Sequence, residues 1–178
     1  SLEAFAVALL AAVAAADGDG QRARRGADEA GAILDALNDE AVVSEIGTLM
    51  VLGWTNRWLG RFAAAERDLR RGIRLARATG RFFFLCQTTV AAVRPLLALG
   101  RLDDALATAQ EAVEFARLAG DQPHTVAAYC ELATVHYALG DATSALQAAD
   151  DAARIKAPQM LPIAAQPGWC RGLALIAA

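Results

Sequence analysis

The dipeptide Leu-Gly recurs at Leu59-Gly60, Leu99-Gly100 and Leu139-Gly140, 40 residues apart each time. A fixed period of this size is the signature of a chain assembled from copies of one supersecondary unit, none of which can bury its apolar face alone. Five residues after each glycine stands an alanine, Ala65, Ala105 and Ala145. Fifteen after each stands an apolar residue, Leu75, Phe115 and Ile155. Gly20 reads as a weaker member of the same series, and Gly80 and Gly120 punctuate the ends of two units.

Within a unit the stretch after Leu-Gly has helical periodicity. Phe62, Ala65, Leu69, Gly72, Ile73 and Ala76 fall on one face, as do Leu102, Ala105, Ala109, Ala112, Val113 and Ala116 in the next copy. Arg61, Arg67, Arg70, Arg71 and Arg74 are assigned to the opposite face of the first helix, and Asp103, Asp104, Gln110, Glu111 and Glu114 to that of the second. A glycine suited to a left-handed cap closes each helix. The stretches before Leu-Gly, such as IGTLMVLGWTNRWLG and VAAYCELATVHYALG, are apolar throughout, as expected of helices covered on most sides. RFFFLCQTTV, Arg81 to Val90, is strand-like in composition, but the repeat register puts it in a first-helix slot.

The pattern resembles the tetratricopeptide repeat. In that family a small residue follows the inter-helix glycine by five positions, which matches Gly60 with Ala65, Gly100 with Ala105 and Gly140 with Ala145. The large aromatic of the first helix is matched by Tyr129 and Trp169, and the second helix's late small residue by Ala112 and Ala152, with Gly72 in the earlier unit. The period of 40 exceeds the family's usual one, the proline that commonly ends the repeat is missing, and Arg25 stands where Gly20 calls for a small residue. The resemblance implies an all-α fold: a right-handed superhelical α-solenoid of antiparallel helix pairs. One domain is expected over residues 1–178, with repeats at about 1–38, 40–80, 81–120 and 121–157 and a truncated fifth at 158–178. Longer repeats of this kind look like those in LuxR-type and related ATP-dependent bacterial transcriptional regulators and in cytosolic peptide sensors. A non-catalytic interaction and signal-transduction role in the cytoplasm is what that likeness implies.

Composition narrows the field further. The net charge of −3 gives no reason to expect nucleic acid or an anionic membrane as partner. Of 17 basic residues all but Lys156 are arginine, and the apolar fraction of 56% is largely alanine, a composition that suggests a GC-rich bacterial genome. Cys86, Cys130 and Cys170 are odd in number and too far apart for a disulfide framework or a CxxC metal site. The apolar run Ala4 to Ala16 spans 13 residues, about 20 Å as a helix against the ~30 Å of a bilayer core. The run resembles the apolar region of a secretory signal, but Ser1, Leu2 and Glu3 before it supply no basic segment, and a core helix is expected. A start at Ser1 with no initiator methionine is expected of an excised fragment.

Catalytic motifs are missing. There is no phosphate-binding GxxxxGKS loop, GxSxG elbow, HExxH or strand-following GxGxxG, and no cofactor is expected. His124 and His136 do not form a metal or triad pattern, and DGDG at Asp17 to Gly20 reads as a turn and not a calcium loop. What the family resemblance offers instead is a groove lined by successive first helices. Carried over residue by residue, it comprises Met50, Trp54, Arg57 and Trp58, then Gln87, Val90, Arg94 and Leu97, then Cys130, Thr134 and Tyr137. Tryptophan, tyrosine and arginine on one face are the residues of binding hot spots, although Trp54 and Trp58 also fit a plain core. Pro95 is expected to kink its helix. The expected occupant is a protein, a peptide or a small effector. Direct nucleic-acid contact is not expected, since the arginines from Arg61 to Arg81 read as a solvated outer face. Exposed repeat ends offer a route to a homodimer, with Pro162 and Pro167 as an alternative makeshift cap.

Overall fold

The glycine corners decide where every helix stops. In the computed structural model, which describes residues 2–155, Gly18, Gly60, Gly80, Gly100, Gly120 and Gly140 adopt φ between 65° and 82°. An L side chain there costs roughly 1–2 kcal/mol, so the sequence uses glycine. At Gly100 the glycine N–H donates to the Leu97 carbonyl at 3.0 Å and the Arg101 N–H donates to the Leu96 carbonyl at 3.0 Å. The same two bonds close the chain at the other five glycines, satisfying carbonyls that a helix end leaves open.

The residue after the glycine then opens the next helix. Asp19, Asp121 and Asp141 accept hydrogen bonds from the N–H groups of Arg22, His124 and Ser144 at 3.0, 3.1 and 3.0 Å. Hydrogen bonding from Ser144 holds the Asp141 carboxyl below its ordinary range. Arg61 and Arg101 occupy the equivalent position without a side-chain cap. The first corner corrects the sequence reading: Gly18 carries the left-handed backbone, whereas Gly20 is already the first residue of a helix.

The helices between corners are α1 (Leu2–Ala16), α2 (Gly20–Asp35), a single turn α3 (Asp39–Val42) continued by a 3-10 turn (Val43–Glu45), and α4 (Ile46–Trp58). Then follow α5 (Phe62–Ala78), α6 (Phe82–Ala98), α7 (Leu102–Leu118), α8 (Gln122–Ala138) and α9 (Ala142–Arg154). Among the described residues there is no strand, and the strand-like Phe82 to Val90 is helical. Pro95 lies inside α6, which continues past it. The chain was expected as one domain and divides into two compact units, residues 1–95 and 96–178. The expected fifth repeat, with Trp169, Cys170, Pro162 and Pro167, lies outside the described residues.

In the first unit α1 packs against α2, α4 against α5, and α1 against α4. Alanine sets the closeness of the first hairpin: Ala4, Ala8, Ala11 and Ala14 of α1 face Ala23, Ala27 and Ala30 of α2, all buried. A Cβ built on Gly26 would lie 2.9 Å from the Ala11 Cβ, so even alanine is too large at that crossing. Larger side chains fill the next layer, where Leu34, Ile46, Leu49, Leu52 and Leu69 are almost fully enclosed. Thr88 of α6 lies over Gly72 of α5, and Ala91 and Ala92 pack on Leu69.

Two polar clusters sit within this unit. Arg71 donates to the carbonyls of Leu34 and Leu37 at 3.3 and 3.2 Å and, through Nε, to Asp39 at 3.1 Å. It therefore seals the C-terminal end of α2, and its side chain is only 21% exposed, unlike the solvated role assigned to it from sequence. Asn56 of α4 donates to Asp68 of α5 at 3.0 Å, both nearly buried, while Arg67 grips the other Asp68 oxygen through Nε and Nη2. Burial pushes the Asp68 carboxyl up, with the Arg67 charge opposing it.

In the second unit α8 packs against both α7 and α9. Val126, Cys130, Ala133, Ala148, Ala149 and Ala152 form its core between α8 and α9, with Tyr129, Leu132 and Ile155 against it. Ala105, Ala109, Ala112 and Ala116 of α7 are fully buried. The small residues singled out for helix crossings, Ala65, Ala105 and Ala145, are at 0% exposure.

Candidate functional site

Counting back thirteen residues from the corner glycines Gly18, Gly60 and Gly100 gives Phe5, Gly47 and Gln87, one on each of α1, α4 and α6. These three positions line a single pocket of about 530 Å³ inside the first unit. Gly47 makes its floor: a Cβ there would touch the Phe84 ring at 3.3 Å and the Phe5 ring at 3.8 Å, so the missing side chain keeps the space open. Around the floor stand Leu2 and Leu9 of α1, Met50, Val51 and Trp54 of α4, and Phe83 of α6.

Polar groups are few. Ser44, Glu45, Thr48 and Gln87 contribute them, with Glu45 the one charged residue among the described lining. The Thr48 hydroxyl donates to Glu45 Oε2 at 2.8 Å, below a buried surface. Phe83 and Phe84 pack edge to face with centroids 5.4 Å apart, which fixes both rings. Phe83 is 61% exposed and Phe5 39%, a large apolar area to leave open to water. A mostly apolar concavity of this size with a few polar groups at its margin suits an aliphatic or aromatic group of a ligand or peptide.

The groove residues read from sequence divide as follows. Met50, Trp54 and Gln87 border the pocket. Trp54 is half-buried and also packs on the Leu69 cluster, so it serves both core and pocket. Trp58 is 51% exposed and is therefore not core, as one reading had it. Arg57, Val90 and Arg94 are half-buried and lie outside the pocket lining. In the second unit, Leu97 and Thr134 are half-buried and Tyr137 is 37% exposed, the Thr134 hydroxyl donating to the Cys130 carbonyl at 2.9 Å. Cys130 is a correction: at 1% exposure it belongs to the α8–α9 core and presents nothing to a partner. Phe5 and Leu9 of this pocket were hidden by the Gly20 register, which displaces α1 by two positions, and Phe83 and Phe84 lie ahead of Gln87, the first α6 position carried over from sequence.

Arg61 and the arginines of α5 are largely engaged. Arg61 pairs with Asp28 at 2.6 Å, Arg67 with Asp68, Arg70 with Glu66, and Arg74 with Asp39 at 2.9 Å. His124 bonds Asp121 at 2.8 Å within the first turn of α8, and the ring of His136 stands 3.7 Å from Asp141 across the Gly140 corner. Among the described residues no group of three or more His, Cys, Asp or Glu side chains is placed to hold a metal ion. Among them, too, no helix is long and apolar enough to cross a membrane.

Comparison with known proteins agrees with this geometry at the level of the repeat. Residues 94–157 match the family described as Tetratricopeptide repeat. A search of curated proteins gives no match. Among solved structures, the chain is similar to the nearly identical TPR-like repeats of a Podosopora anserina protein assigned as a kinesin light chain. The TM-score is 0.75 at 18% identity, over 97% of this chain and 85% of that one. The chain has a tetratricopeptide-like helical-repeat fold.

Proposed function

We propose that this chain is a non-catalytic binding module that seats an apolar anchor of a protein or peptide partner, or a small apolar effector, between α1, α4 and α6. The carrying observation is the pocket over Gly47, where exposed Phe5 and Phe83 converge with Met50 and Trp54. Tetratricopeptide repeats generally mediate protein–protein interaction, which supports the same reading. Trp58, Arg57, Val90 and Arg94 extend the contact surface within the first unit, and Leu97, Thr134 and Tyr137 are the corresponding positions of the second. Few charges surround the pocket, so affinity comes from burying apolar area at about 25 cal/mol per Å².

The test is a phage-displayed peptide selection on the immobilised chain, followed by titration of selected peptides using Trp54 fluorescence. Gly47→Phe fills the floor and is expected to abolish binding; Trp58→Ala is expected to weaken it. Peptides that bind Gly47→Phe as tightly as the parent would refute the pocket as the site. The narrower reading, a segment of a bacterial transcriptional regulator acting in the cytoplasm, is supported by the 40-residue period and the alanine- and arginine-rich composition. An ATPase or helix-turn-helix encoded beside this segment is its expected signature.

A further inference from the structure

The pocket over Gly47 takes its shape from the repeat. Leu2 and Leu9 of α1 stand sixteen and nine residues before Gly18, and Ser44 and Val51 stand at the same two distances before Gly60, with Phe5 and Gly47 between them. Helix α6 supplies the matching Phe84 and Gln87, sixteen and thirteen before Gly100. Three successive first helices therefore turn one register toward a common trough. Seven residues of helix rise about 10 Å, so the trough is about as wide as an α-helix is thick, ~10–12 Å. Helices packed side by side lie about 8–10 Å apart, so it runs roughly 16–20 Å across the three.

The walls decide which kind of backbone can lie there. An extended segment of that length brings about five or six residues, each with an N–H and a C=O to satisfy. The trough has little to offer them. The Ser44 hydroxyl donates to the Ala41 carbonyl at 2.9 Å and the Thr48 hydroxyl to Glu45 at 2.8 Å, so both protons are engaged. Among the described lining, the side-chain donors left are the Gln87 amide and the Trp54 indole. Each backbone group buried without a partner weakens binding by roughly tenfold. A helix satisfies its backbone internally and presents side chains alone. Charge selects further, since Glu45 is the one charged residue among the described lining, and a carboxylate can accept from donors beyond the Thr48 hydroxyl.

We propose that the trough takes one amphipathic α-helix of a partner protein, laid across α1, α4 and α6, with a bulky apolar side chain over Gly47 and a lysine or arginine on its flank beside Glu45. This occupant presupposes that the Gly47 pocket is the binding site, and it narrows the ligand from any apolar group to a helix with apolar residues at i, i+3 or i+4, and i+7.

Two displayed peptide libraries selected on the whole chain test it: an alanine-based helix of about 18 residues, randomised on one face and its flank, and a proline-rich library that cannot become helical. The helical library is expected to yield binders with a basic flank whose circular dichroism gains helix on mixing. A central proline in such a peptide is expected to weaken it by about a hundredfold. Changing its basic flank residue to glutamate is expected to cost about tenfold against the parent chain and little against Glu45→Gln. Phe83 is 61% exposed, so Phe83→Ala keeps the fold and is expected to weaken these binders even if Gly47→Phe misfolds. Binders from the proline-rich library alone, lost in Phe83→Ala, overturn the helix and keep the pocket. Binders that ignore both Gly47→Phe and Phe83→Ala overturn the pocket and this occupant together. Helical binders indifferent to a central proline or to flank charge, or no binder from either library, would overturn it as well.

Discussion

Replacing Gly53 by alanine sets helix propensity against packing at one atom. In an exposed helix the change stabilises by about 1 kcal/mol, because glycine loses more backbone freedom on folding. At Gly53 of α4 the added Cβ would lie 2.4 Å from Leu69 Cγ, 2.6 Å from Cδ2 and 2.9 Å from Cδ1. Carbon atoms pack at about 3.5–4.0 Å, so Leu69 must retreat by more than 1 Å. It has nowhere to go: at 0% exposure it is enclosed by Trp54, Ile73, Ala91 and Ala92. Overpacking of this kind costs roughly 1–3 kcal/mol, and the blocked atom is a branch carbon instead of a flexible tip. After the propensity gain, Gly53→Ala is expected to destabilise by up to about 2 kcal/mol, lowering the melting temperature by as much as a few degrees. Gly31→Ala in α2 is the control, since its Cβ would meet nothing within 4 Å; it is expected to raise stability by up to ~1 kcal/mol. The assay is thermal and urea denaturation followed by far-UV circular dichroism, with Gly53→Ala combined with Leu69→Ala as the third variant. Leu69→Ala removes the obstacle, so the double variant is expected to be more stable than additivity allows by about 1–3 kcal/mol. Two alanine substitutions of equal sign, or strict additivity in the double variant, would refute the crossing geometry.

Two further perturbations address the polar clusters. Arg71→Ala is expected to cost about 1–3 kcal/mol by stripping the Leu34 and Leu37 carbonyls of a charged donor, and Arg71→Lys is expected not to rescue it, because a single ammonium cannot span three acceptors; urea denaturation of the three chains checks both. Asp68 is raised above its ordinary 3.8 by burial, so the folded state holds the proton more tightly than the unfolded one. Its contribution to stability therefore falls as pH rises from about 3.8 through the raised folded value. Asp68→Asn is expected to remove that part of the pH dependence and to be at least as stable at neutral pH, since its amide can donate to the buried Asn56 Oδ1, which has no partner. Denaturation midpoints of both chains across pH 3–8 decide it.

Helix positions and corners were legible because glycine is the residue that tolerates the left-handed backbone, and five of the six corners fall on a strict 20-residue beat. The first corner breaks that beat, and two candidate glycines stood there. Only the backbone torsion separates Gly18 from Gly20, and the wrong choice concealed Phe5 and Leu9. Arg71 was unreadable for a different reason: its role depends on carbonyl groups more than thirty residues away, which no local pattern announces. Cys130 was misplaced because a first helix covered on most sides shows almost no amphipathic phase, so its buried and open faces are indistinguishable from periodicity.

The way each corner works also limits how the chain can change length. A single residue after the glycine completes the seal of one helix and begins the next, so an insertion there would undo both ends at once. The stretch from Ala36 to Glu45 is built otherwise, with a short helical turn and a 3-10 turn in place of a glycine corner. There the spacing between successive inter-helix glycines, Gly18 and Gly60, stretches to 42. That stretch is where added residues, a protease site or a grafted loop would be absorbed while the helices on either side keep their phase.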